Sequence, residues 1–184
     1  MIKIKTFNDF IKPYIIFLSI LMANNSTFGQ NEKLEIKVIE NSASTKSELY
    51  TKARSIIAYK FKNSNYVVQM EDKESGRIIC KGVMVVHSTG TLGINYSNYV
   101  NFSLTIDVKD NRYRAVISDI YHSGISSSNE YPGGAIENEK PDCGKFSIPK
   151  KDWNKMKEAI VNDATQFLEE FKKEMNIEIK VDDF

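Results

Sequence analysis

Few residues in this chain can do chemistry. Its 184 residues include two histidines, His87 and His122, and two cysteines, Cys80 and Cys143. Histidine exchanges a proton near neutral pH, and cysteine supplies a nucleophile or a soft metal ligand. His87 and His122 each close a strand-like run, and in an up-and-down meander those two ends share one edge of the sheet. Cys143, beside Asp142, falls in the polar stretch that follows. His87, His122 and Cys143 are therefore the candidate metal or nucleophile–base cluster. No two of them have the close spacing of a metal motif, so solvent-facing histidines and an unrelated loop cysteine are the plainer reading. No metal, cofactor or catalytic group is expected.

Three further groups of residues carry an expectation. Cys80 lies in a strand and Cys143 in the polar stretch; in an oxidising compartment they can pair, and otherwise Cys80 is a buried small hydrophobe. Lys109, Arg112, Tyr113 and Arg114 form a basic-aromatic cluster at a hairpin tip, either a solvated turn or a patch for an anion or a partner. Phe167, Leu168 and Phe171 lie on the apolar stripe of the last helix, either plain core or the lining of an apolar pocket. The chain has no G-x-S-x-G, Walker loop, H-E-x-x-H, C-x-x-C or EF-hand motif. Gly90-Thr91-Leu92-Gly93 lacks the Lys and the following helix of a phosphate cradle. Asn95-Tyr96-Ser97 and Asn101-Phe102-Ser103 match the glycosylation sequon by chance.

The balance of 25 Lys+Arg against 24 Asp+Glu gives a net charge of +1, without the basic excess a nucleic-acid binder needs. The small excess belongs to the N-terminus. Lys3, Lys5 and Lys12 precede an apolar run from Tyr14 to Ala23, and Thr27 and Gly29 supply the small residues of a cleavage site between Gly29 and Gln30. This is the pattern of a secretory signal peptide over residues 1–29. The run is shorter than the ~20 residues of a membrane-spanning helix, and no cysteine near the cut offers a lipid anchor. The expected mature chain is therefore a single exported domain, residues 30–184, without a transmembrane span and not a lipoprotein. Losing three Lys and Asp9 turns its net charge to −1.

The elements that must position these residues are read by periodicity. Leu34, Ile36 and Val38 alternate as a strand. Thr45-Lys46-Ser47-Glu48 is a capping box, followed at helical spacing by Leu49, Ala53, Ile56, Ile57 and Phe61, with Asn63-Ser64-Asn65 as the stop. Strands are predicted over Tyr66–Glu71 and Arg77–Val86, joined by a turn in which Gly76 takes positive φ. Tyr99–Lys109 and Arg112–Tyr121 follow, joined by a two-residue Asp110-Asn111 turn. That turn sets Lys109 against Arg112, Val108 against Tyr113 and Asp107 against Arg114, with Ile106–Ala115 and Leu104–Ile117 on the core side. Residues 123–148 are expected to be a long loop before the last helix. There Trp153, Met156, Ile160, Ala164, Phe167, Leu168, Phe171 and Met175 hold one stripe. The order β-α-β-β-β-β-α makes an α+β fold, a single antiparallel sheet with two helices packed on one face.

At this point the chain resembles a family of uncharacterised exported proteins of Bacteroidetes-type bacteria, described as a domain of unknown function with a TBP-like fold. The resemblance is carried by Ser44-Thr45-Lys46-Ser47-Glu48-Leu49-Tyr50-Thr51-Lys52-Ala53, by Ser75-Gly76-Arg77-Ile78-Ile79-Cys80-Lys81-Gly82, and by Ile106-Asp107-Val108-Lys109-Asp110-Asn111-Arg112-Tyr113-Arg114. It spans roughly Ile36 to Tyr121, with Asn111 standing where that turn usually has Gly. It implies the TBP-like fold and supplies no activity; a fold shared with TATA-binding protein says nothing about DNA. The functional expectation is a non-enzymatic binding or interaction domain, periplasmic or secreted, with an envelope or extracellular protein partner. The alternatives are a carrier of a small apolar ligand between the last helix and the sheet, and an enzyme or metal site at the sheet edge.

Overall fold

The computed structural model describes residues 33–61, 64–125, 130–143 and 148–177. The leader expected at residues 1–29 lies outside them. Strand β1 (Ile36–Asn41) leads into helix α1 (Lys46–Lys60), a short helix α2 (Ser64–Val67) and strand β2 (Val68–Asp72). Strands β3 (Arg77–Thr89), β4 (Asn95–Lys109) and β5 (Arg112–Gly124) follow, then a two-residue β6 (Gly134–Ala135) and helix α3 (Lys150–Asn176). The sheet order is β1-β5-β4-β3-β2, with β6 beside β5, and all pairs are antiparallel.

Local chemistry explains the boundaries. Thr45 and Glu48 cap α1 reciprocally: Glu48 N–H donates to Thr45 Oγ1 at 3.4 Å, and Thr45 N–H donates to Glu48 Oε2 at 2.8 Å. That satisfies two amides a bare helix end would leave unpaired. Gly76 holds φ +77° in the β2–β3 turn, where an added Cβ would lie 2.4 Å from the Val108 carbonyl; only glycine fits there. Asn111 takes φ +61° in the two-residue turn, and the register beyond it is the expected one, including Asp107 opposite Arg114.

Two elements differ from expectation. Tyr66 and Val67 belong to α2 and not to β2, so β2 is short and pairs only with the first part of β3. The stretch 123–148 is not one long loop. β5 continues to Gly124, and Gly134–Ala135 return as β6 against Tyr121 and His122. Residues 126–129 and 144–147 of that stretch lie outside the described residues.

Even-numbered residues of β3 and β4 face the helices, among them Ile78, Cys80 and Val86, and Phe102, Leu104, Ile106 and Val108. α3 covers them with Trp153, Met156, Ile160, Ala164, Leu168, Phe171 and Met175, all buried. In β5 the inward set begins odd, with Tyr113, Ala115 and Ile117, then turns even at Ile120 and His122. The switch is a bulge at Asp119, with φ +51°: Ser118 stands opposite Ser103 and Tyr121 opposite Asn101. Three steps on β5 match two on β4, so the extra residue exchanges the faces beyond it.

Candidate functional site

The two histidines do not meet. His87 is exposed on the open face of the sheet, its Nδ1 3.3 Å from Ser97 Oγ. Beyond the bulge His122 turns the other way and is fully buried. Gly133 N–H donates to His122 Nδ1 at 2.8 Å, which leaves the proton on Nε2 to donate to Asn98 Oδ1 at 3.1 Å. The ring packs edge-on against Trp153 at 5.5 Å between centroids. Burial pushes its pKa down to about 4, so it is neutral at pH 7. Asp142 donates its backbone N–H to the Gly133 carbonyl, so the segment bearing Cys143 is strapped beside this histidine. Gly133 lies so close to Trp153 that a Cβ would come within 2.3 Å of the indole. His122 thus clamps the strap to the sheet, and both of its nitrogens are engaged. Among the described residues, no group of three or more His, Cys, Asp and Glu side chains is placed to hold a metal ion.

The cysteines stand apart as free thiols, the unpaired one of the two readings the sequence left open. Cys80 sits opposite Leu104, in the row that reaches Ile117 on β5, whereas Cys143 follows the segment anchored at His122. Burial pushes the Cys80 thiol up to about 11, which makes it a poor nucleophile.

Of the two readings of the last helix's stripe, the side chains form plain core. Leu168 and Phe171 are buried in the core, and Phe167 is half-buried. Phe167 packs against Phe61 and Phe102 at 6.1 and 6.0 Å between centroids, and Phe171 against Tyr113 at 6.4 Å. Rings take up the space beneath the helix that a ligand would need.

The basic cluster divides between the two faces. Tyr113 is buried toward α3, its hydroxyl reaching Asn176 Oδ1 at 3.4 Å, and burial pushes its pKa up to about 12. Arg112, Arg114 and Lys109 are exposed and join Arg77, a residue the sequence reading did not single out. The register explains why: Ile39, Arg114, Asp107 and Arg77 form one row across β1, β5, β4 and β3. Arg77 Nε donates to Asp107 Oδ1 at 2.6 Å, and Arg114 Nη2 donates to Oδ2 at 2.6 Å. Partial burial alone would raise the Asp107 pKa, but the two guanidiniums outweigh it and hold it below the usual carboxylate value. These residues, with Ser75 and Val108, line an open depression of about 540 Å³.

The same face also carries apolar side chains: Ile39 and Met70 near this row, and Val83, Val85 and Tyr121 beyond the polar Lys81, Ser103 and Ser118. Val83, Val85, Tyr121 and Ile39 are 59, 46, 44 and 44% exposed, and Met70 is exposed as well. Both long helices pack on the opposite side, so these side chains stay in solvent.

A single antiparallel sheet covered by two helices on one face and bare on the other is the TBP-like class of α+β fold. Residues 36–123, 88 of the 184 residues, match the family model "Domain of unknown function (DUF4468) with TBP-like fold". A DUF4468 family protein from Bacteroides ovatus ATCC 8483 has a similar crystal structure, with a TM-score of 0.60 at 11% identity, covering 79% of this chain and 88% of that one. A TBP-like protein from Parabacteroides distasonis ATCC 8503 is similar with a TM-score of 0.55 at 16% identity, covering 82% of this chain and 97% of that one. No curated protein matches the chain.

Proposed function

We propose that this is an exported, non-enzymatic domain that binds a protein partner of the cell envelope or extracellular space through the open face of its sheet. The observation that carries this reading is the exposed apolar set Val83, Val85, Tyr121, Ile39 and Met70 on a face that neither long helix covers. Exposed apolar side chains on an uncovered face are characteristic of interaction sites. Arg77, Arg114, Arg112 and Lys109 bring charge to the Ile39 end of that face. Support for export comes from the basic, apolar and small-residue pattern of residues 1–29. The candidate chemical groups are otherwise occupied: His122 as a clamp, Cys80 in the core, and Phe167 and Phe171 in ring contacts.

A photo-cross-linker in place of Tyr121, in cells that export the protein, is expected to trap one discrete partner. The same group in place of Glu158, on exposed α3, is expected to trap none. Asn101→Glu, which sets a charge opposite position 121, should suppress the adduct. Equal adducts from both positions, or none from Tyr121, would count against the open face.

A further inference from the structure

β3 has thirteen residues, but β2 pairs only with its first four, ending at Val68 opposite Cys80. α2 lies beside the next residues of β3, and from Val83 to Thr89 no strand among the described residues pairs with its outer edge. Bonds at the two ends of the β3–β4 ladder show where the backbone groups point. Val108 N–H donates to the Gly76 carbonyl at 2.8 Å, and Gly90 N–H donates to the Ile94 carbonyl at 2.7 Å. Both pairs fall on even-numbered residues of the chain leading into and out of β3, and its register with β4 runs without a shift. In an antiparallel ladder, bonded positions alternate with positions that face away. The N–H and C=O of Val83, Val85, His87 and Thr89 therefore point outward, unpaired among the described residues.

Such an edge is a template for another strand, and natural sheets usually blunt it with charge, proline or a bulge. Gly82-Val83-Met84-Val85-Val86-His87-Ser88-Thr89 contains no proline and no Lys, Arg, Asp or Glu. This stretch is apolar at its centre and carries none of those guards.

We propose that this edge pairs antiparallel with the same edge of a second copy of the chain, about a two-fold axis at Val85. The segment suits a self-complementary contact, in which each residue must tolerate the residue related to it by the axis. On the open face Val85 meets the partner's Val85, and Val83 meets the partner's His87. On the helix side Met84 meets the partner's Val86, and Gly82 meets the partner's Ser88. Apolar pairs fall at the centre, and no like charges oppose each other. The outward-facing odd residues are the ones that exchange main-chain bonds in this register. The added strand also covers a notch of about 240 Å³ lined by Met84 and Phe167 and rimmed by Asp163, Gln166 and Glu170; Lys60 is paired with that Glu170 at 3.4 Å. The dimer has one continuous sheet, with the helices on one side and the two open faces joined. This pairing goes beyond partner binding and does not depend on it.

Light scattering of the purified protein across a concentration series is expected to give twice the chain mass. Val85→Pro removes an N–H that the monomer does not use, so it should leave the circular dichroism unchanged and weaken dimerisation roughly tenfold or more. Val85→Lys, which sets two like charges across the axis, should do the same. In a Cys143→Ser background, Val85→Cys should give a disulfide-linked dimer on oxidation. The Cα spacing of a hydrogen-bonded pair, about 5.5 Å, lies within disulfide range. Val83→Cys should cross-link far less, because it faces the partner's His87. A protein that stays monomeric throughout overturns the proposal. So does a dimer indifferent to both Val85→Pro and Val85→Lys, or equal cross-linking from positions 83 and 85.

Discussion

His122 shows how much one proton can be made to matter. Its Nδ1 accepts from Gly133 N–H, so a proton added there would meet another donor and break the clamp. An unfolded histidine titrates near pH 6.5, whereas the folded ring, held down by burial, titrates at about 4. Between those values the unfolded chain binds a proton that the folded chain does not. The stability this histidine contributes is therefore complete above about pH 6.5 and lost as pH falls toward 4, by up to roughly 3 kcal/mol. Carboxylates with shifted pKa values, among them Glu48, Asp72, Asp107, Asp119 and Asp152, are shifted downward and add little in the upper part of that window. Urea unfolding should show a falling midpoint between pH 6.5 and 5 that His122→Gln flattens; a slope unchanged in the variant would assign it to other groups. The sequence shows that two strand ends carry histidines. It hides the face each one takes, because a single unpaired residue at Asp119 decides it. In hindsight the break is visible as a spacing of three between Ile117 and Ile120, where the strand otherwise keeps two.

At the scale of elements, the legible parts are those written in local chemistry. The capping box, the Gly76 turn and the Asp110-Asn111 turn each depend on neighbours in the chain, and each forms where the residues predict. Thr45→Ala removes the cap acceptor and should cost about 1 kcal/mol, read as a lower urea midpoint with an unchanged slope. The less legible parts depend on distant partners. β4 begins at Asn95, ahead of its apolar alternation, because β3 continues to Thr89 and keeps pairing with it. Tyr66 and Val67 have strand-forming side chains yet close a helical turn. The polar strap between β5 and α3 folds back because His122 and Trp153 bind it: Trp153 Nε1 donates to the Asn138 carbonyl at 2.9 Å. None of these has a sequence-local signature.

At the scale of the whole molecule, the division of labour lies between two faces. The helix-covered face holds the core: Phe171, with no exposed surface, should cost about 3–5 kcal/mol when replaced by alanine. On the open face, Tyr121→Ser should change urea stability by only a few tenths of a kcal/mol, while abolishing any contact made there. Intact-mass measurement of the exported protein should find Gln30 as the first residue, cyclised or not; an uncut N-terminus would overturn the leader reading.

The bulge at Asp119 gives the far end of β5 its own phase. A strand without it would carry Tyr121 under the helices and leave His122, the anchor of the strap, in water. Deleting that one residue, by contrast, would give the same faces by plain alternation: Ile117 in, Ser118 out, Ile120 in, Tyr121 out, His122 in. Such a deletion should keep the strap on His122 and cost chiefly the exposed Lys33–Asp119 ion pair, read as a small drop in urea midpoint with the near-UV circular dichroism unchanged. Substitutions along β5 alter what a position contributes; the bulge alters which side of the molecule it belongs to.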